Sequence, residues 1–369
     1  MGDGSKDSPY SSMAYALNNV EDGGTIEIIG EYDYGTTDTF GLSYKEITVV
    51  GGTLDISKVE LLQLNGPVTL GTEKEQLTVK VNSNGSIFAN GNPFKVAETV
   101  SFDTTLGGLY GGGRFASVTS TYLELESGTY RNIYGGGMKG SVETDTYLYI
   151  GENVNKGSNS YQHDNMQNCS IYGGCFNAQV KGDTNVVFDG QYAEAGRIYG
   201  AGAGSDSSVQ GTSNVTIKNG KVYSVYGGSS GAEGVQGTST NVLVEEGTIT
   251  QIFGGSEGAN LDGNTSVWVK GGTVTRRIYG GCYNELPGST TYHVKGTSTL
   301  RIDDINYTHN DEEEYMISAC SRVGSKQSGE TGILIIKDAT YSRLQNYIGG
   351  SILWYNIPGY DQRCNPDNL

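Results

Sequence analysis

Apolar and polar residues alternate over short segments that are separated by glycine turns. In segment 214–222, Val215 and Ile217 alternate with polar neighbours, and a glycine turn precedes Val222. Segments 241–249 and 266–274 follow the same template. Period-two alternation bounded by glycine predicts short strands that bury one face.

A motif of an aliphatic residue, an aromatic residue and then Gly-Gly or Gly-Ala recurs along the chain. Successive aromatic residues are separated by 24, 38, 27, 27, 27 and 26 positions. The spacing of 38 fits one period that carries an insertion near 161–164. The aromatic residues of the motif are Tyr110, Tyr134, Tyr172, Tyr199, Tyr226, Phe253 and Tyr279.

A repeat of about 27 residues with a few short strands cannot bury its own apolar face. Stacked repeats can, because equivalent strands then pair in parallel about 4.8 Å apart around an aliphatic core. Since parallel crossover connections are right-handed in most proteins, the sequence predicts an all-β fold, a right-handed parallel β-helix. The repeat is too short for a propeller blade and lacks the leucine-rich pattern.

Residues 1–24 are predicted to form an N-terminal capping helix and its lead-in. Ser8 is expected to be the N-cap, with Pro9 at the first helical position. A helix that covers the open end of a solenoid protects it from edge pairing. Its apolar face would comprise Met13, Ala16, Leu17 and Val20.

One domain is expected, with the parallel β-helix over 25–355 and a C-terminal tail or cap over 356–369. The repeats are clearest at 105–285. Further strands are predicted outside this region, at 47–52, 77–81, 299–302 and 332–336, and degenerate copies of the aromatic turn are predicted at 316–320 and 347–350.

The segment from Asp3 to Ile29 resembles the start of bacterial pectin-lyase-like β-helix proteins, in which a helix leads into a Gly-Gly-Thr-Ile strand. The resemblance implies a secreted or cell-surface β-helix and admits a polysaccharide-cleaving enzyme. Pectate-lyase relatives would need clustered aspartates for calcium beside a basic residue. The sequence offers no such aspartate-rich strand face, so no metal and no cofactor are expected.

Charge and composition exclude several classes of protein. The chain has 24 Lys and Arg against 41 Asp and Glu, a formal charge of −17, so no nucleic-acid partner is expected. It contains no apolar stretch long enough for a transmembrane helix. Five cysteines do not form a disulfide framework; Cys175 and Cys282 are interpreted as small buried residues, and whether Cys169 pairs with Cys175 is left open.

The aromatic residues of the motif are the first candidate ligand-binding site. Because neighbouring strand residues face opposite sides, an inward aliphatic residue places the ring outward. The rings would then form an outer ladder along the solenoid, on which sugars could dock. The alternative is that rings on adjacent turns only cover one another.

Asp206 and Glu233 are the second candidate, because each lies seven residues after the aromatic residue of its repeat. On adjacent turns in register, the two carboxylates would be about 5 Å apart, a separation suited to a cation or a retaining glycosidase pair. The alternative is a solvated acidic loop edge. The acidic run 311–314 is interpreted as a solvated insertion.

The leading hypothesis is a non-catalytic, adhesin-like β-helix repeat protein, extracellular or on a bacterial cell surface. Its expected partner is a polysaccharide or host glycan, contacted through the aromatic ladder, and the protein is expected to be a monomer. The first alternative is a polysaccharide lyase or glycoside hydrolase on the same fold. The second is a structural stalk of a larger surface protein.

Overall fold

The computed structural model describes residues 2–165, 168–231, 237–283, 292, 294–307, 316–321 and 331–336. Strands hold 51% of the residues, and the described chain winds into a parallel β-solenoid of about nine turns. The predicted all-β parallel solenoid with a short N-terminal helix is confirmed. The segments 311–314, 347–350 and 356–369 lie outside the described residues, so the predictions made for them remain predictions.

The two longest strands lie in the middle of the solenoid. The helix is α1 (Met13–Asn19), and a 3-10 turn spans His163–Asn165. The first strands are β1 (Gly24–Asp33), β2 (Thr39–Phe40), β3 (Ile47–Asp55), β4 (Leu61–Leu64), β5 (Val68–Leu70), β6 (Leu77–Lys80), β7 (Ser86–Phe88), β8 (Phe94–Val96), β9 (Val100–Phe102), β10 (Leu106–Tyr110), β11 (Thr121–Leu125), β12 (Tyr130–Tyr134) and β13 (Thr146–Ile150). The later strands are β14 (Ser170–Tyr172), β15 (Gln179–Val180), β16 (Thr184–Tyr199), β17 (Ser208–Tyr226), β18 (Gly237–Val244), β19 (Thr248–Phe253), β20 (Thr265–Val269), β21 (Thr273–Tyr279), β22 (Thr297–Ile302), β23 (Asn306–Tyr307), β24 (Met316–Ser318) and β25 (Thr331–Ile336).

Equivalent strands of successive turns pair in parallel, and two of the faces that they form are called sheet A and sheet B. Sheet A runs through β5, β8, β11, β13, β16, β17, β18, β20, β22 and β25. Sheet B contains the aromatic strands β7, β10, β12, β14, β16, β17, β19 and β21. The long strands β16 and β17 contribute to both sheets.

The predicted aliphatic core lies between the sheets. In β13, Leu148 and Ile150 are fully buried, whereas the alternate residues Tyr147 and Tyr149 are only half-buried. In sheet B the aliphatic residue of the motif, such as Ile198, faces the same core. One continuous apolar core therefore connects the described turns, and no single turn buries its apolar face alone.

The capping helix begins four residues later than predicted. Its N-cap is Ser12, whose hydroxyl accepts a hydrogen bond from the backbone N–H of Tyr15, and not Ser8. Ser8 instead forms an antiparallel bridge with Ser5. The backbone at which the prediction began the helix is therefore paired in this bridge. Met13 and Leu17 are buried against the end of the core, as the apolar periodicity predicts.

The first glycine of each motif lies where the backbones of successive turns approach most closely. A Cβ atom added at Gly173, Gly200 or Gly227 would lie well under 3.0 Å from a carbonyl oxygen of the next turn. Real Cβ atoms essentially never come so close. The repeated glycine therefore follows from the spacing of the turns, because a side chain at this position would push them apart.

A column of buried threonine hydroxyls in sheet A binds the carbonyl groups of these glycines. Thr146 donates to the carbonyl oxygen of Gly173 at 2.6 Å, and Thr184 donates to that of Gly200 at 2.6 Å. Thr265 continues the column by donating to a carbonyl oxygen in the next turn. These hydrogen bonds fix the aromatic turn of one repeat against sheet A of the preceding repeat.

Replacing the first glycine of a motif with alanine is expected to destabilise the solenoid strongly. We predict that Gly173→Ala lowers the free energy of unfolding by about 3 kcal/mol, because the methyl group overlaps the carbonyl oxygen of Gly200. Urea unfolding followed by circular dichroism measures the change. Gly174→Ala is the matched control, since its Cβ would lie 3.0 Å from the nearest atom and Ala201 already occupies the equivalent position in the next turn. Equal losses in the two variants would contradict the close-approach explanation.

Candidate functional site

The aromatic residues of the motif form one continuous stack along sheet B. Neighbouring rings lie 4.5 to 5.4 Å apart between centroids, and their planes differ by at most 10°. The predicted register is confirmed: Tyr199 pairs with Tyr226, and Tyr226 pairs with Phe253. Phe88 extends the stack by one turn, which the motif search missed because Ala-Asn follows Phe88 in place of Gly-Gly.

The rings of this stack are buried, and the expectation of an exposed ladder is wrong. Tyr172 is the most exposed ring at 8%, and Tyr199 and Phe253 are at 0%. The rings do point away from the main core, but the chain after each Gly-Gly pair returns over them. Phe176 and Tyr283 contact the stack from this covering segment. Ring faces pack on one another, so sugar docking on the aromatic ladder stays a prediction without an accessible face to support it.

The covering segment is itself in register from turn to turn. Residues four positions after the aromatic residue pair as parallel bridges, in the order Phe176, Ala203, Ser230, Glu257 and Tyr283. Ala203 and Ser230 are small, and they leave space above the rings beneath them. The carboxylate of Glu257 extends back over two turns and occupies this position.

Glu257 binds two phenol groups of the stack. The Tyr199 hydroxyl donates to one carboxylate oxygen of Glu257, and the Tyr226 hydroxyl donates to the other at 3.4 Å. Burial, followed by the negative charge of Glu257, raises the pKa of both phenols well above the usual 10.0. Phe253 lies in the turn of Glu257 itself, so the missing hydroxyl at that position does not interrupt the contact. Glu257 therefore links three consecutive turns, and we call its two hydrogen bonds to Tyr199 and Tyr226 the clamp.

Arg197 supplies the positive charge of this cluster. Burial opposes its charge, but the phenol groups of Tyr199 and Tyr226 and the carboxylate of Glu257 keep its pKa above the ordinary value. The sequence prediction missed Glu257 because it compared residues seven positions after the aromatic residue. The relevant residues lie four positions after the aromatic residue of each repeat. At this position, two successive repeats have the small residues Ala203 and Ser230, and the next repeat has Glu257.

Asp206 is exposed in a turn beside the covering segment. Glu233 lies outside the described residues, so the proposed carboxylate pair stays a prediction. Gln179, at the same offset as Asp206, is exposed in β15.

The cysteines of the described chain are buried. Cys169 and Cys175 are thiols with no disulfide bond between them, which answers the question that the sequence left open. Burial raises the pKa of Cys169 to about 12 and that of Cys175 to about 11, so neither thiol ionises readily. Within the described residues, no group of three or more His, Cys, Asp or Glu side chains could hold a metal ion.

Sheet A presents a second set of aromatic residues on its outer face, which the aromatic-Gly-Gly motif does not include. Outward positions of β11 and β13 hold half-buried tyrosines, and asparagines of β16, β17 and β18 continue the column of Tyr122 and Tyr147. We call this surface the outer track. Its residues are Tyr122, Tyr147, Tyr149, Asn185, Asn214 and Asn241.

Side-chain contacts order the outer track along the solenoid axis. The rings of Tyr122 and Tyr147 stack with 5.1 Å between centroids. The amide of Asn214 donates to the side-chain oxygen of Asn185 at 3.2 Å, and Asn241 donates to that of Asn214 at 3.0 Å. The alternation of segments 121–125 and 146–150 already places these tyrosines on the polar face, a signal that the motif search did not use.

Comparisons with known proteins add no relative. No protein-family model matches the chain, and no curated protein or solved structure matches it significantly. The fold is therefore shown by its own geometry, and the pectin-lyase-like resemblance stays a prediction. Among the described helices, none is long and apolar enough to cross a membrane.

Removing the Tyr199 hydroxyl is expected to weaken the clamp without disturbing the stack. We predict that Tyr199→Phe lowers the free energy of unfolding by about 1.5 to 3 kcal/mol, because the charged carboxylate of Glu257 loses the hydrogen bond that the Tyr199 hydroxyl donates. Tyr110→Phe is the control, since it removes a phenol from the same stack far from Glu257 and keeps the ring. Denaturant unfolding measures both variants. A loss in Tyr199→Phe no greater than that in Tyr110→Phe would contradict the clamp.

Alkaline pH is expected to unfold the protein as the buried phenols ionise. Burial raises the pKa of Tyr110 to about 12, against 10.0 for an ordinary tyrosine. A raised pKa stabilises the folded state below pH 10, and this contribution is lost as the pH rises towards 12. The tyrosines of the buried stack should therefore ionise in one cooperative step together with the loss of circular dichroism. Gradual ionisation of all tyrosines near pH 10 in a folded protein would contradict the burial of the stack.

Proposed function

We propose that this protein is a non-catalytic, adhesin-like β-solenoid that acts outside the cell or on the cell surface, and that it contacts glycans through its outer track. The observation that supports the proposal is the stacked, half-buried pair Tyr122 and Tyr147, whose rings lie on the outer face at one end of an amide ladder. This surface takes the role that the sequence prediction gave to the buried stack.

The length of the outer track suits an extended ligand. It spans five successive strands of sheet A, from β11 to β18, which at about 4.8 Å per step covers about 19 Å. Five of its residues pair in direct register, in the order Tyr122, Tyr147, Asn185, Asn214 and Asn241, so the surface is regular along its length. A polymer with a regular repeat can make similar contacts at each step of such a surface.

The chemistry of the outer track suits sugars. A sugar ring has apolar C–H faces and a rim of hydroxyl groups. Tyrosine offers an apolar ring with a polar tip, and asparagine offers both donors and an acceptor. The two types of side chain therefore match the two parts of a sugar without requiring charge.

A structural stalk is the second candidate function. The core continues through the described turns, and the aromatic stack runs without interruption from Phe88 to Tyr279, which favours a stiff rod. In that case the outer track would be an ordinary solvated sheet face. Glycan binding by the wild-type protein separates the two functions.

Truncation of Tyr147 tests the proposed glycan surface. We expect Tyr147→Ala to weaken binding to the best glycan of an array by about tenfold or more, because the ring contact is lost. Tyr44→Ala is the matched control, because Tyr44 is 67% exposed and lies just before β3. In the order of strand pairing, β3 is followed by β5, β8 and then β11, so Tyr44 lies outside the outer track. Thermal unfolding verifies that both variants fold. A wild-type protein that binds no glycan, or a Tyr147→Ala variant that binds as wild type, would refute the proposal.

A further inference from the structure

The proposed glycan surface also indicates the charge of its ligand. We infer that the outer track binds an uncharged polysaccharide, laid along the solenoid axis. This inference rests on the proposed function and goes further, since an adhesin can equally recognise uronate-containing or sulfated chains.

Charges at the tyrosine end of the track are paired within the protein. Lys95 lies 3.1 Å from the carboxylate of Glu124, which also accepts the Tyr122 hydroxyl at 2.7 Å. Lys95 lies over the ring of Tyr122, 5.5 Å from its centroid. Lys95 is thus already paired with Glu124 and with the ring of Tyr122. An anionic ligand would have to compete with Glu124 for the lysine.

The next charged pair along the face is arranged in the same way. Lys218 lies 2.9 Å from a carboxylate oxygen of Asp189, and the Tyr149 hydroxyl lies 3.5 Å from the same oxygen. Glu126, at this edge, accepts a hydrogen bond from the backbone N–H of Glu152. The carboxylates near the tyrosines therefore balance or exceed the lysines, and the face has no surplus positive charge for a polyanion.

Charges beyond the amide ladder are also paired. Lys270 lies 3.2 Å from Glu245, and Arg301 binds Asp303 at 2.7 Å. Both cations lie over the ring of Trp268, at 4.5 and 4.3 Å from its centroid. Lys270 and Arg301 are therefore each engaged by a carboxylate and by an aromatic ring.

The asparagines of the track are neutral, and Asn241 keeps hydrogen-bonding capacity. The amide of Asn214 donates to the side-chain oxygen of Asn185 and, at 3.4 Å, to the backbone carbonyl of Thr212, whereas Asn241 donates one of its two N–H groups to Asn214. The remaining N–H group and the side-chain oxygen of Asn241 suit sugar hydroxyls. A carboxylate or sulfate placed here would lose hydration without gaining an opposite charge.

The charge of the whole chain acts in the same direction. A formal charge of −17 repels polyanions at long range, and this repulsion slows their approach before any contact forms. An uncharged chain meets no such barrier. Its affinity should also change little with salt, because no ion pair contributes to binding.

The test is an array that carries matched neutral and acidic glycans on common backbones, such as hydroxyethyl cellulose with carboxymethyl cellulose and dextran with dextran sulfate. We expect the hits to be neutral glycans, with affinities that change less than about twofold between about 0.05 and 0.5 M salt. The variant Asn214→Ala with Asn241→Ala should weaken them about tenfold. Thr48→Ala with Thr69→Ala, at outward positions of earlier turns, is the matched control.

The outcomes separate this inference from the proposed function. Acidic hits whose affinity falls tenfold or more with salt would overturn the inference and leave an adhesin-like glycan-binding protein. Neutral hits unaffected by the double asparagine variant would also overturn it, because the amide ladder would not contact the ligand. The absence of any hit would overturn both proposals.

Discussion

Direct register between equivalent residues of successive turns is the constraint on which the rest of this structure depends. The turns approach so closely at the first glycine of each motif that a side chain has no room there. Once that contact is made, the aliphatic residue, the ring and the buried threonine of one repeat lie against their counterparts in the next. The aromatic stack, the hydroxyl column and the outer track all follow from one translation along the solenoid axis.

The same constraint explains why the stack is structural. Rings in register pack face to face on one another, and the covering segment, which is also in register, buries their edges. Glu257 and Arg197 then place a carboxylate and a guanidinium among phenol groups that burial keeps protonated. Such a cluster resists slippage between turns, because a shift of one repeat would separate the carboxylate from both phenols.

Much of the fold could be predicted from the sequence, because the constraint repeats along the chain. The spacing of the motif predicted which rings would pair, and the alternation in segment 214–222 predicted strand and core positions. The N-cap was placed at Ser8 in place of Ser12 because the Ser-Pro pair fits a helix start, whereas the bridge between Ser5 and Ser8 depends on tertiary structure.

The site could be predicted less well, because burial depends on what the loops do. Alternation correctly indicated that Tyr199 points away from the main core, but it contains no information on the segment that returns over the ring. The same alternation placed Tyr147 outward, and there no segment of the described chain buries the side chain fully. Glu257 acts across two turns, so no pattern within one repeat reveals its partners.

Chemical modification of tyrosines in the folded protein, located by mass spectrometry, tests the account most directly. Brief iodination or nitration should modify Tyr122 and Tyr147 on the outer face of sheet A. It should leave Tyr199 and Tyr226 unmodified until the protein is unfolded. Ready modification of Tyr199 and Tyr226 in the native protein, with protection of Tyr147, would show that the two sets of rings had been assigned to the wrong surfaces.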